Sequence, residues 1–243
     1  MELAALRDDM VDGLCHESKG VLESDAIVAA MRTVPRHEFV EDDHHAYTDR
    51  EHDHRGTRVL APRTVARLLE ALDPKPGHSV LVVGVGIGYT AAVLAELTGE
   101  TNVHAVDIAR RMVYDARDNL SRAGYDGVLV DCRDGAKGLP DYAPFDRILV
   151  EAAAVAPPRA LTSQLEGDGR LVYPSGGYPQ TLEAVSSDGT VERFGNVSFD
   201  PLLVDGEQTG AVERNRTARE DTEFAIARSQ SRSGWEREWI EWD

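Results

Sequence analysis

An apolar strand, a glycine-lined bend, a helix and a second strand closed by an acid follow one another across residues 78–107, HSVLVVGVGIGYTAAVLAELTGETNVHAVD. That order predicts a βαβ unit of a parallel sheet. Glycines stand at Gly84, Gly86 and Gly88, so the bend has no Cβ atoms at alternate positions and its backbone N–H groups can approach a ligand at the start of a helix. Asp107 closes the second strand at the carboxyl edge of the sheet. Open α/β sheets bind ligands at that edge, and a carboxylate there can accept both hydroxyls of a ribose. A dinucleotide fingerprint, G-x-G-x-x-G, would need glycine at position 89, where this chain has Tyr89. The spacing points away from a nicotinamide dinucleotide and towards S-adenosylmethionine. The plainer alternative is a bend whose glycines serve only a tight turn and close helix packing.

The alternation continues beyond this unit. VHAVD reads as a strand, ARRMVYDARDNLSRAG as a helix closed by Gly124, GVLVDC and FDRILVEAA as strands, and PRALTSQL as a helix. GRLVYPSG and the segment 180–199 then read as strands, with Asp188-Gly189 marking a hairpin. The expected fold is α/β, a doubly wound, seven-stranded, Rossmann-like sheet with an antiparallel C-terminal hairpin. Upstream, helices are expected at 2–14, after Ser24 as far as Pro35, and from Pro62 to Asp73, with a polar loop over 36–57. Three regions follow: a helical and loop region at 1–60 that contributes to the substrate side, a cofactor-binding domain at 61–205, and an acidic extension at 206–243. That extension carries a candidate helix near 217–229 and Trp235, Trp239 and Trp242, read as a tail docked on the domain.

Charge narrows the partners. Forty-three acidic residues against 26 basic ones leave a net charge of −17, which argues against nucleic acid because phosphate neutralisation needs a basic surface. Only Lys19, Lys75 and Lys137 are lysines, the remaining basic residues being arginine. Acidity with little lysine suits a salt-filled cytoplasm, where screening relieves self-repulsion. A halophilic source is expected on this ground. Cys15 and Cys132 have no metal spacing and suggest no disulfide framework. Neither a leader nor a membrane span is legible, so a cytoplasmic chain is expected, with a monomer favoured.

From about residue 30 to 205 the chain resembles the protein-L-isoaspartate (D-aspartate) O-methyltransferases. The likeness rests on Ala46-Tyr47-Thr48-Asp49, on Pro62 through Leu69, on VLVVGVGIGYTAAVLAEL, and on the blocks at 133–154, 158–177 and 198–203. The resemblance implies a seven-stranded methyltransferase fold that binds S-adenosylmethionine and methylates the stray carboxylate of isoaspartyl residues in damaged proteins. By the same resemblance Gly84, Gly86 and Gly88 form the cofactor turn, Asp107 is the ribose ligand, and Asp134-Gly135 is the pair beside the adenine amine. On the substrate side the family's Thr-Ile-Ser is Arg58-Val59-Leu60 here, so an isobutyl group replaces the expected hydroxyl. Glu151 stands where the family carries a small residue, and could narrow or recharge the acceptor side.

No general base is required for this chemistry, because a carboxylate acceptor is already ionised at neutral pH. The site has to desolvate the acceptor, aim it and hold it. Leu60 and Asp49 are the substrate-side candidates, and Lys137 is a further group near a strand end. His44, His45, His52 and His54 lie among Asp42, Asp43, Asp49 and Asp53, but solvated loop histidines are the ordinary outcome of such a pattern and no metal is expected. Two alternatives stay open: a cofactor-binding paralogue with an altered acceptor or no turnover because of Leu60, and an RNA methyltransferase, which the acidity disfavours.

Overall fold

A computed structural model describes residues 3–16, 20–42, 45–177 and 179–204. The expected extension at 206–243, its candidate helix and its three tryptophans lie outside the described residues, as does His44. Helices α1 (Leu3–Cys15), α2 (Asp25–Thr33) and α3 (Pro62–Leu72) precede the sheet. The α3 helix starts on a proline, whose missing N–H is no loss in a first turn, and ends at Asp73 in the left-handed conformation, φ 50°. It buries Val65, Leu68, Leu69 and Leu72 along one side. Between α2 and α3 lies the first departure from expectation. β1 (His52–His54), inside the predicted loop, and β2 (Thr57–Val59), which starts at the loop's last residue, pair as a separate antiparallel hairpin. HDH and TRV have no apolar alternation, which left these strands invisible to a pattern search.

The main sheet contains β3 (Val80–Val83), β4 (Val103–Asp107), β5 (Leu129–Cys132), β6 (Phe145–Val150), β7 (Leu165–Ser175), β8 (Gln180–Ser186) and β9 (Val191–Val197). Their spatial order is β5-β4-β3-β6-β7-β8-β9. The first five run parallel, and β8 and β9 continue the sheet antiparallel. The crossovers run through α4 (Tyr89–Thr98) and α5 (Arg110–Arg122), with the short α6 (Arg159–Thr162) before β7. Chain order reverses between β3 and β6, so the topological switch point lies at the carboxyl ends of those two strands.

Alternate strand residues feed two cores, as the pleat requires. Val80, Val82, Ala105, Leu149 and Val172 belong to the larger one, together with Leu14, Met31, Leu69, Leu94 and Leu120 from the helices. Leu81, Val83, Val106, Ile148 and Leu171 face the other way, onto Leu139, Phe145 and Leu161. Helix α6 is shorter than PRALTSQL predicts because Gln164 is recruited elsewhere. Its side-chain amide accepts the Leu139 N–H at 2.8 Å and donates to the Lys137 carbonyl at 2.9 Å, and its own carbonyl accepts from Phe145.

Candidate active site

The bend after β3 follows from its glycines. Gly84, Gly86 and Gly88 have φ of 83°, 52° and 91°, a region that L residues with side chains rarely enter. A Cβ on Gly88 would press on the Ala116 carbonyl and Leu120, so α4 meets α5 closely only without one. The bend is tied to β4 by Gly84 and Val85 N–H bonds to the Val106 carbonyl. From α5, Asn119 donates to the Ile87 carbonyl at 2.9 Å. Asp107 completes this frame, its carboxylate accepting from Gly86 N–H at 3.2 Å and Ala109 N–H at 2.9 Å. Burial pushes the Asp107 carboxyl above its ordinary range, and these backbone donors act in the opposite sense.

A cavity runs along the carboxyl ends of the strands. Gly135 after β5, Asp107 at the end of β4, Gly84 and Gly86 after β3, and Glu151 after β6 all line it. Gly135 is fixed by packing, since a Cβ there would drive into the Val83 side chain. Asp134, 8% exposed, sits just behind the lining. Its carboxylate accepts the Ala136 N–H at 3.0 Å, opening the turn at 135–137. Lys137 is exposed and pairs with Asp134 at 3.5 Å, outside the cavity lining.

Leu60 lines the cavity, as do Thr57 and Arg58 of the hairpin. Asp49 does not. It accepts the Arg63 N–H at 3.1 Å and pairs with the Arg63 guanidinium at 3.0 Å, which places it on the first turn of α3. The segment 198–203 also lines the cavity. Gln180 holds that segment by bonding both the N–H and the carbonyl of Phe199, and Ala153 exchanges backbone bonds with Asp200 and Leu202. Arg58 spans the rim, pairing with Asp200 at 3.3 Å and Glu51 at 3.4 Å.

Arg36 is the residue that pattern reading missed. It is 1% exposed, yet its guanidinium donates to the Ala46 carbonyl at 2.8 Å and the Leu60 carbonyl at 2.6 Å, and it lies 4.5 Å from the Tyr89 ring centroid. One cation thus ties the 46–49 loop and the Leu60 segment to the helix after the glycine bend. Arg36 follows Pro35 in a polar stretch, and no periodicity marks it. Thr57 and Ser198 were also missed, because each stands alone in its segment.

Among the described histidines of this loop, the His45 and His52 rings are neighbours, 6.3 Å between centroids. His45 bonds Asp42 at 2.7 Å, and His54 lies between Glu41 at 3.4 Å and Asp115 at 3.1 Å. Among the described residues no group of three or more His, Cys, Asp or Glu side chains gathers to hold a metal ion. Cys15 and Cys132 are both free and exposed.

A mostly parallel sheet with a glycine bend after its first strand, an acid ending the second and a cavity at the switch point defines a nucleoside-binding α/β fold. The family model for protein-L-isoaspartate(D-aspartate) O-methyltransferase matches residues 7–207, and the chain belongs to that family. A Methanopyrus kandleri protein-L-isoaspartate O-methyltransferase is 42% identical over 207 residues, covering 81% of this chain and 91% of the relative. The Aeropyrum pernix protein of the same name is 46% identical over 195 residues, 76% of this chain and 75% of its own. In fold, the chain is similar to a Plasmodium falciparum protein crystallised with S-adenosyl-L-homocysteine. The TM-score is 0.72 at 22% identity, with 81% of this chain and 97% of that one covered.

Proposed function

We propose that the cavity transfers a methyl group from S-adenosylmethionine to the side-chain carboxylate of L-isoaspartyl residues in damaged proteins. The carrying observation is the row of strand ends, Gly135, Asp107, Gly84 and Glu151, lining one cavity in a chain whose family match spans 7–207. The donor set fits the cofactor. Asp107 keeps acceptor capacity beyond its backbone bonds for the ribose hydroxyls, the Gly84–Gly86 bend admits the amino-acid portion, and Val83, Val85 and Ile108 supply apolar wall. When bound, S-adenosylmethionine supplies an electrophilic methyl group on a sulfonium.

The chain's own residues then have to orient an acceptor that is already an anion. Leu60 cannot donate a hydrogen bond, so positioning passes to the groups that share its cavity: the Arg58 guanidinium and the hydroxyls of Thr57 and Ser198. Leu60 supplies an apolar wall that keeps water from the acceptor carboxylate, which raises its nucleophilicity. Asp49 acts by setting the first turn of α3, and through it the Leu60–Pro62 segment. On this reading residues 1–60 supply the acceptor side and 61–205 the cofactor side, since the lining draws on both.

On this reading the protein acts as a monomer on damaged polypeptides in a salt-rich cytoplasm, away from membranes; the acid excess supports the salt-rich setting and weighs against nucleic acid as a partner. No helix among the described residues is long and apolar enough to cross a membrane.

The deciding assay compares an isoaspartyl peptide with its aspartyl counterpart in molar KCl, following methyl transfer from labelled cofactor. Methylation of only the isoaspartyl peptide is the expected result, and labelling of neither or both overturns the reading. Leu60 favours a second reading, a cofactor-binding paralogue with an altered acceptor. That reading predicts no peptide turnover in the wild type and a gain of turnover in Leu60→Ser, worth roughly tenfold to a hundredfold for one restored hydrogen bond to a charged group.

A further inference from the structure

The row of strand ends continues one strand past the cofactor residues already assigned. In spatial order the tips are Gly135 after β5, Asp107 on β4, the bend after β3, and then Glu151 after β6. A nucleoside with its ribose on Asp107 and its adenine towards Gly135 extends its amino-acid end across the glycine bend in the remaining direction, towards Glu151. The backbone keeps this route short. Glu151 N–H donates to the Val83 carbonyl at 2.8 Å, and a Cβ on Gly84 would lie 3.6–3.8 Å from Glu151 atoms.

At the end of that route is a carboxyl group with unused capacity. Glu151 Oε1 is shielded from water and accepts no hydrogen bond. The Thr90 hydroxyl, from the first turn of α4, bonds the same carboxyl. Among the described residues, the charged group that bears on it electrostatically is Asp107, which is of like sign. Arg36 and Arg58, which also line the cavity, are engaged with the Ala46 and Leu60 carbonyls and with Asp200 and Glu51. A buried carboxyl oxygen without a donor is costly unless something arrives to meet it.

We infer that Glu151 is the anchor for the α-ammonium of the cofactor's zwitterionic amino-acid end, its carboxylate accepting from that ammonium. This rests on the S-adenosylmethionine reading of the cavity and adds a ligand to it. Before binding, burial pushes the Glu151 carboxyl up to about 8, chiefly by desolvation, so at neutral pH it is mostly protonated. An ammonium beside it favours the ionised form. Binding at neutral pH therefore expels the Glu151 proton to solvent, leaving a carboxylate–ammonium pair in the cavity.

Calorimetric titration with two ligands tests this. S-adenosyl-L-homocysteine carries the ammonium, and 5′-methylthioadenosine keeps the nucleoside and sulfur but lacks the amino-acid end. Expected for the wild type is proton release with S-adenosyl-L-homocysteine, seen as a binding heat that follows the buffer's ionisation enthalpy, and none with methylthioadenosine. Glu151→Gln, which preserves shape, weakens S-adenosyl-L-homocysteine by roughly tenfold to a hundredfold and leaves methylthioadenosine unchanged. An unchanged S-adenosyl-L-homocysteine affinity in Glu151→Gln, an equal loss for both ligands, or a buffer-independent heat in the wild type overturns the inference while the cofactor reading stands. Failure of the wild type to bind either ligand overturns both.

Discussion

Arg36, buried, and Glu151, half-buried with one shielded oxygen, line one cavity, and their environments treat them in opposite ways. Arg36 spends its guanidinium on the Ala46 and Leu60 carbonyls and on the Tyr89 ring, so its charge organises the acceptor side. Glu151 has an oxygen with nothing to accept. That difference has a stability consequence in the ligand-free protein. With its carboxyl raised from 4.5 to about 8, the folded state holds a proton that the unfolded state has released over that interval. Stability therefore falls as pH climbs from 4.5 to about 8 and levels off above it. Glutamine mimics the neutral acid and cannot ionise. Glu151→Gln is thus expected to melt several degrees above the wild type beyond pH 8, the two curves converging as pH falls towards 4.5. Parallel curves across that range, followed by circular dichroism, would contradict the buried-acid assignment.

Elements that pack by period were legible from the chain, and elements held by distant side chains were not. The βαβ unit, the succession of main-sheet strands along the chain and the Asp188-Gly189 hairpin, with Gly189 at φ 86°, all stand where apolar spacing and turn chemistry put them. Gly84, Gly86 and Asp107 were readable because the bend and the strand end are contiguous in sequence. By contrast, the β1–β2 hairpin, the truncation of α6 by Gln164 and the attachment of Asp49 to α3 depend on partners brought in by the fold. Asp49 illustrates the limit. Its Ala46-Tyr47-Thr48-Asp49 setting marked it as substrate-facing, whereas its carboxylate meets the Arg63 N–H in the first turn of α3. A capping carboxylate at that position stabilises by about 1 kcal/mol. Asp49→Ala should lower the denaturation midpoint accordingly and raise KM for an isoaspartyl peptide, because Leu60 lies two residues before α3, next to its N-cap Ala61. A loss of kcat at unchanged stability would instead return Asp49 to the reacting groups.

For the molecule as a whole, charge dominates. The two cores flanking the sheet are built from aliphatic residues of ordinary kinds, and nothing in them distinguishes a salt-adapted protein. The composition carries the charge instead, with 43 acidic residues and a net charge of −17 over the full chain. Arginine bridges such as Arg32 to Asp8 and Asp12, Arg117 to Asp131, and Arg133 to Asp131 and Asp141 neutralise part of that excess. Exposed pairs of this kind contribute little each, and the remaining repulsion acts over longer distances. At 1 M salt the screening length shrinks to about 3 Å, which removes most of that repulsion. The melting temperature should accordingly rise steadily with KCl into the molar range. A flat or falling dependence would remove the halophilic reading and leave the fold untouched.

The central claim is that Asp107 and the glycine bend together hold the nucleoside of S-adenosylmethionine. Calorimetric titration of S-adenosyl-L-homocysteine into the wild type and Asp107→Ala tests it directly. Asp107→Ala removes a carboxylate acceptor from the ribose, and the affinity is expected to fall by roughly tenfold to a hundredfold, the worth of a charge-assisted hydrogen bond. Equal affinities in the two proteins would contradict the claim.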